Sequence, residues 1–369
     1  MSTLREKLDP AAFRWLGLSA FVSALLLPLM WALSYTQKWT LVLVLLVLQG
    51  TLAWAGGLGS LLLAFLVPTG KRFRYVILFI AFIPLGAIAP FGFAMLALMT
   101  VASGGAWGRP LRIRGKQLHP ELRQGSDWTK GARPNVSALT PATRRALEAL
   151  WLHDAQKEHA SVPAFARIAW MLAAVGAPAD LMERAHVAGL EEIDHARRCF
   201  ALAAGYGGRS HTVEPMPELL LGGLEFDGPP LVALALESLK DGCLLEDYNA
   251  DVAGRCAKEC TDTAAKDLLQ RIAVEERSHA DFSWDLLIWC LERGGATVQR
   301  AVIKELSRLD DIHRPTAASA DKTVLVASAD PAQLLAHGRI PDKIWAELWF
   351  FRLTETRSRA KGLLLDKAI

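Results

Sequence analysis

The chain has 369 residues, 52% of them hydrophobic, and a positive mean hydropathy, which is more apolar than an ordinary water-soluble domain. A net charge of only +3 gives no electrostatic reason to expect a nucleic-acid partner. The five cysteines (Cys199, Cys243, Cys256, Cys260 and Cys290) are odd in number and contain no CxxC, which argues against a disulfide framework or a zinc site and for small core residues.

No Asp, Glu, Lys or Arg occurs over 15–37, 39–70 or 75–108. A spanning helix needs about 20 mainly apolar residues, so the pattern predicts a transmembrane region over 1–103 with spans near 14–35, 41–67 and 75–101. A cleaved signal peptide would account for the first stretch and leave the other two unexplained. Pro84 and Pro90 are expected to kink the third. With no ionisable residue inside them, these spans read as an anchor or assembly surface in contact with membrane lipid and not as a transport path. Basic residues flank both sides almost equally, so the positive-inside rule does not decide orientation. Unpaired thiols favour a cytoplasmic domain on an integral protein of a bacterial inner membrane.

Residues 104–139 are rich in Gly, Pro and basic side chains and read as an irregular linker. Arg109, Arg112, Arg114 and Lys116 face either acidic lipid heads or solvent. Thr140-Pro141 has the form of an N-cap followed by Pro at the first helical position. Four helices then follow, over about 141–174, 179–207, 230–259 and 263–294, with a long Gly/Pro-rich connection between the second and third. The predicted fold is all-α: a four-helix bundle over 140–296, with a helical extension over 297–369. The short alternating run Thr323-Val324-Leu325-Val326 is the one strand-like exception. In the extension, Trp345, Trp349, Phe350 and Phe351 are expected to pack on the bundle or at a membrane surface.

Two strings carry the chemistry. Leu190-Glu191-Glu192-Ile193-Asp194-His195 and Val274-Glu275-Glu276-Arg277-Ser278-His279 each hold Glu-x-x-His in a helical stretch. Positions i and i+3 project from nearly the same side of a helix, so a carboxylate and an imidazole reach one ion together. Helix one offers Glu158, 34 residues before Glu192. Helix three offers Glu246, 30 residues before Glu276. Such separations bring residues level across a short turn. Glu237 is the rival to Glu246, but its separation of 39 residues places it about two turns away. The expected ligands are therefore Glu158, Glu192, His195, Glu246, Glu276 and His279. This oxygen and nitrogen set suits two iron ions, with manganese or a mixed pair as alternatives, better than a thiolate-preferring metal. Glu183-Arg184-Ala185-His186 also matches Glu-x-x-His, but His186 falls on the opposite face from His195. Asp194 and Ser278 are candidates to orient the imidazoles, with Glu191 and Glu275 outside the ligand set.

Residues 141–295 resemble the ferritin-like superfamily of di-iron carboxylate proteins. They are most similar to bacterial ferritin-like-domain proteins carrying strings like Glu158-His159-Ala160-Ser161-Val162, Glu192-Ile193-Asp194-His195-Ala196-Arg197 and Glu276-Arg277-Ser278-His279-Ala280. Pro163, a turn past Glu158, departs from a regular helix one and is expected to bend it. The resemblance implies a di-iron site that activates dioxygen or peroxide. A membrane anchor adds the expectation of an apolar small-molecule substrate and an electron donor of unknown identity. Iron sequestration or sensing is a second expectation. A third is a structural accessory subunit of a membrane complex, or an oligomer. A shared fold does not choose among them.

Overall fold

A computed structural model describes residues 108–113, 116–221, 228–312, 314 and 320–366, together with Leu16, Ala55, Leu58 and Ser60. The expected spans near 14–35, 41–67 and 75–101 lie outside the described residues apart from those four positions. Among the described residues, no helix is long and apolar enough to cross a membrane. The chain divides into two units, Met1–Met99 and Thr100–Ile369. The second holds all the helices and strands named below.

Thr140 starts the first helix as its sequence suggests: the side-chain hydroxyl accepts from the Thr143 amide at 3.2 Å, and Pro141 follows at N1. This helix, α1, runs Pro141–Ala174. Pro163 lies inside it without ending it. A four-residue connection leads to α2 (Ala179–Gly207), which stops where Gly208 adopts the left-handed conformation, φ 76°. The pair packs along its length. The third long segment is continuous from Pro230 to Glu259 but is not one α-helix. It consists of α3 (Pro230–Glu237), a π-helical stretch Ser238–Glu246, and α4 (Asp247–Glu259). Asp262 caps α5 by accepting from the Ala265 amide at 2.9 Å. The segment runs Thr263–Leu306 and is broken at Gly295, whose φ 50° and ψ −141° are not helical, so the expected end at Gly294-Gly295 holds and a further helical stretch follows it. Val298 and Val302 of that stretch are buried.

The α2 helix packs on α5, and α3, the π stretch and α4 pack on α5 from the other side. One apolar core runs between these segments and takes in all five cysteines, each buried and unpaired. The extension supplies α6 (Ala320–Ala327), α7 (Pro331–Ala336) and α8 (Asp342–Asp366). The strand-like run 323–326 is therefore helical; local β-propensity is weak where packing decides. Trp345 and Trp349 are buried edge-on against Tyr248, whereas Phe350 and Phe351 are exposed.

The linker is more ordered than its composition suggests. Arg112–Ile113 (β1) pairs antiparallel with Lys116–Gln117 (β2), Arg112 opposite Gln117. Leu122–Gln124 (β3) pairs antiparallel with His211–Val213 (β4) from the long connection, Arg123 opposite Thr212. Leu111 packs on Ala160 and Ala164 of α1. That contact lays residues 108–113 along the turn of α1 that carries Glu158.

Candidate metal centre

The six expected ligands come together. Glu158 projects from α1, Glu192 and His195 from α2, Glu246 from the end of the π stretch, and Glu276 and His279 from α5. His279 is 2% exposed and the other five are fully buried. They fall into two overlapping groups, each with ligand atoms within 4.8 Å of one another. One is Glu158, Glu192, His195 and Glu276; the other is Glu192, Glu246, Glu276 and His279. Glu192 and Glu276 belong to both. Each group adds one carboxylate and one imidazole of its own.

Both imidazoles point Nδ1 into the cluster. His195 Nδ1 lies 3.6 Å from Glu192 and 3.8 Å from Glu158, and His279 Nδ1 lies 3.4 Å from Glu192. Their outer nitrogens are held crosswise. His195 Nε2 of α2 meets Glu275 of α5 at 2.6 Å, and His279 Nε2 of α5 meets Glu191 of α2 at 2.8 Å. Glu191 and Glu275 thus do the orienting that Asp194 and Ser278 were expected to do. Asp194 instead binds Arg198 at 2.6 Å on its own helix.

Three further groups close the site. Arg109 is 1% exposed and donates from Nε to Glu246 at 3.2 Å and from Nη2 to Ser283 at 2.8 Å. Its guanidinium lies over the Phe165 ring at 4.9 Å. Burial rules Arg109 out of the expected contact with lipid heads or solvent, and Arg112 is paired with Asp241. Gly108 (φ 79°) runs so close to α1 that a Cβ there would meet Glu158 Oε2 at 2.8 Å. Asn249 donates to Glu276 at 3.5 Å and to the Gly108 carbonyl at 3.4 Å. Glu237, the rival to Glu246, stands outside, bound to Arg167 at 2.7 Å. Glu183 and His186 are exposed, as the helix-face argument requires. His159 lies edge-on to Trp128, away from the cluster.

The protonation pattern of the bare side chains follows from crowding. Burial pushes the Glu158 carboxyl well above the usual range, and the Glu192 charge adds to it. Burial and the neighbouring Glu246 do the same to Glu276. Glu246 is raised by burial in spite of Arg109. Burial also works against ionisation of Glu192, but the two imidazoles facing it outweigh that and hold the carboxyl below its usual value. Burial would lower both imidazoles. Glu158, Glu192 and Glu275 outweigh it at His195, and Glu191 and Glu192 raise His279 to about 9.

Comparison of the chain with family models, with curated proteins and with solved structures finds no match. The site itself is what points to a metal. Native interiors leave few buried polar atoms without a partner. Here both oxygens of Glu158 and of Glu192, one oxygen each of Glu246 and Glu276, and both Nδ1 atoms are buried without a hydrogen bond. All eight belong to the one cluster. Four carboxylates and two imidazoles in a water-excluded core repel or protonate one another unless cations sit between them. Each of the two groups could hold a metal ion, and Glu192 and Glu276 are common to both. The doublets Glu191-Glu192 and Glu275-Glu276 show the bracing carboxylates in the sequence but not the histidine that each one meets. Arg109, Gly108 and Asn249 carry no sequence signal of their place at the site.

Proposed function

We propose that the chain is a dinuclear metal carboxylate oxidoreductase of the ferritin-like kind, activating dioxygen or peroxide and attached to a membrane through its apolar N-terminal third. The observation that carries this reading is the pair of overlapping carboxylate and imidazole groups that share Glu192 and Glu276. The charge-free stretches before residue 109 support the attachment.

Two iron ions, when bound, supply the electrons and open coordination positions on which such oxidants react. The protein's own part is positional and electrostatic. Glu158 and His195 would hold one ion and Glu246 and His279 the other. Glu275 and Glu191 fix the imidazole rings with Nδ1 inward and raise their basicity. Asn249 steadies Glu276. Arg109 balances part of the negative charge at Glu246, which makes the two halves electrostatically unequal. The Phe165 ring, edge-on to His279, helps exclude water.

Metal analysis of the full chain purified in detergent tests the reading. About two iron or manganese ions per chain are expected. Glu158→Ala and Glu246→Ala should each lower this to about one, and Glu192→Ala should lose both, because that carboxylate is shared. Consumption of dioxygen or peroxide by the iron-loaded chain then supports catalysis. Bound metal without turnover would favour iron sequestration, and absence of metal would leave a structural role.

A further inference from the structure

A cavity of about 270 Å³ adjoins the cluster. Its inner wall is Gly108, Arg109 and Asn249, which touch Glu158, Glu246 and Glu276 respectively. One layer of side chains and main chain therefore separates the cavity from the metal-binding atoms. The lining is strongly one-sided in charge. Arg109, Arg112, Lys157 and Arg314 contribute four cations, His119 and His153 contribute two imidazoles, and no Asp or Glu lines it among the described residues.

The carboxylates that hold these arginines do so from outside the cavity. Glu246 holds Arg109, Asp241 holds Arg112 and Asp342 holds Arg314, and none of the three is a lining residue. A guanidinium has five N–H donors, and one carboxylate takes at most two. Arg109 itself is held from behind by Glu246 and Ser283, and its Nη1 is shut away beside Glu237 at 4.0 Å. The accessible donors are those of Arg112 and Arg314, whose side chains are 38% and 21% exposed. Leu245, Ala160 and Ile312 give the cavity an apolar side. The volume lies just below the usual range of ligand pockets, which begins at about 300 Å³, and so limits the occupant to a small molecule.

We propose that this cavity binds a small organic anion, with a carboxylate or phosphate head and a short apolar body, as co-substrate of the adjacent centre. Anion binding stands on the cavity alone. The co-substrate role rests on the dinuclear reading given above. The expected apolar substrate is thereby narrowed to one with an anionic end.

Calorimetric titration of the full chain in detergent tests this, with hexanoate, hexyl phosphate, inorganic phosphate and the neutral hexanamide as probes. Metal content is measured on the same sample. Hexanoate or hexyl phosphate should bind at least tenfold more tightly than hexanamide, and the tighter of the two identifies the head group. Inorganic phosphate should bind more weakly than hexyl phosphate, since it lacks the apolar body. The double variant Lys157→Met, Arg314→Gln should weaken anion binding at least tenfold while metal content and melting temperature stay near the parent's. If that variant misfolds, Lys157→Met alone should still weaken binding severalfold. Equal binding of hexanamide, or parent-like anion binding in a folded variant, overturns the anion site. Two metals per chain without anion binding also overturns it and leaves the dinuclear reading intact. Anion binding without metal keeps the site and removes the co-substrate role. In the metal-loaded parent, the bound anion should accelerate oxygen consumption severalfold; binding without acceleration also removes that role.

Discussion

Glu191 and Glu275 each precede a candidate ligand by one residue and so project about 100° away from it on the same helix. In this bundle that direction leads to the facing helix, where each meets the other string's histidine. Carboxylates placed behind ligating imidazoles fix their orientation and strengthen their bond to metal. Glu191→Gln and Glu275→Gln should therefore each weaken metal binding by about 10- to 100-fold without loss of helix content, as read by competition with a chelator of known affinity. Unchanged affinity in both variants would mean that the contacts are ordinary ion pairs. The clustering of the candidate ligands was legible because Glu-x-x-His is a same-helix relation. The bracing was not, because it depends on how α2 and α5 face each other.

The π-helical stretch Ser238–Glu246 is the element that brings helix three into the site. A π turn accommodates an extra residue per hydrogen-bonded ring and rotates the chain relative to a plain α-helix. Every residue from Leu239 to Glu246 except Lys240 is buried as a result. The turn also draws Gly242 against α5, where a Cβ would collide with Ser283 and with Nη2 of Arg109. Those two groups form one of the hydrogen bonds that hold Arg109 in place. Gly242→Ala should accordingly destabilise the chain by roughly 1–3 kcal/mol, the usual cost of overpacking, measurable as a lower urea midpoint. A parent-like midpoint would show that this segment is looser than its packing indicates. Composition and periodicity give a helix over 230–259 and no hint of the change in hydrogen-bonding step, since apolar spacing over nine residues does not separate the two.

At the scale of the whole molecule, a metal held in the acidic cluster would couple to stability. An ion that binds only the folded chain stabilises it by mass action, by about 2.7 kcal/mol at a hundredfold excess over its dissociation constant. That corresponds to roughly 5–10 °C in melting temperature for a unit of this size. Chelator treatment should lower the melting temperature by such an amount and added iron or manganese should restore it; calcium should not, given the imidazole ligands. An unchanged melting temperature would exclude metal as a structural component. Acid sensitivity has a separate source at His337, which lies against Tyr206 with Nδ1 2.8 Å from the phenol oxygen. Burial lowers its folded pKa below the ordinary 6.5, against a smaller opposing effect of Asp262. Its contribution to stability is therefore intact above pH 6.5 and is lost as pH falls through the folded value. In a urea series, His337→Asn should show a shallower loss of stability below pH 6.5 than the parent. A parallel slope would assign the effect elsewhere, to groups such as His159, which burial lowers to about 4.

What the sequence determined by itself was periodic or local. Helix bounds at Thr140-Pro141, Gly208 and Asp262 follow from local capping chemistry, and the two Glu-x-x-His pairs and the level placement of Glu158 and Glu246 follow from fixed rise and rotation along a helix. What only the tertiary structure decided was set by contacts between segments far apart in the chain. These are the burial of Arg109 against Glu246 across 137 residues, the crossed bracing of the imidazoles, the π turn under Gly242 and the cationic cavity behind Asn249. No period in a sequence encodes such meetings, because they depend on which faces of separate elements are brought together when the common core is buried.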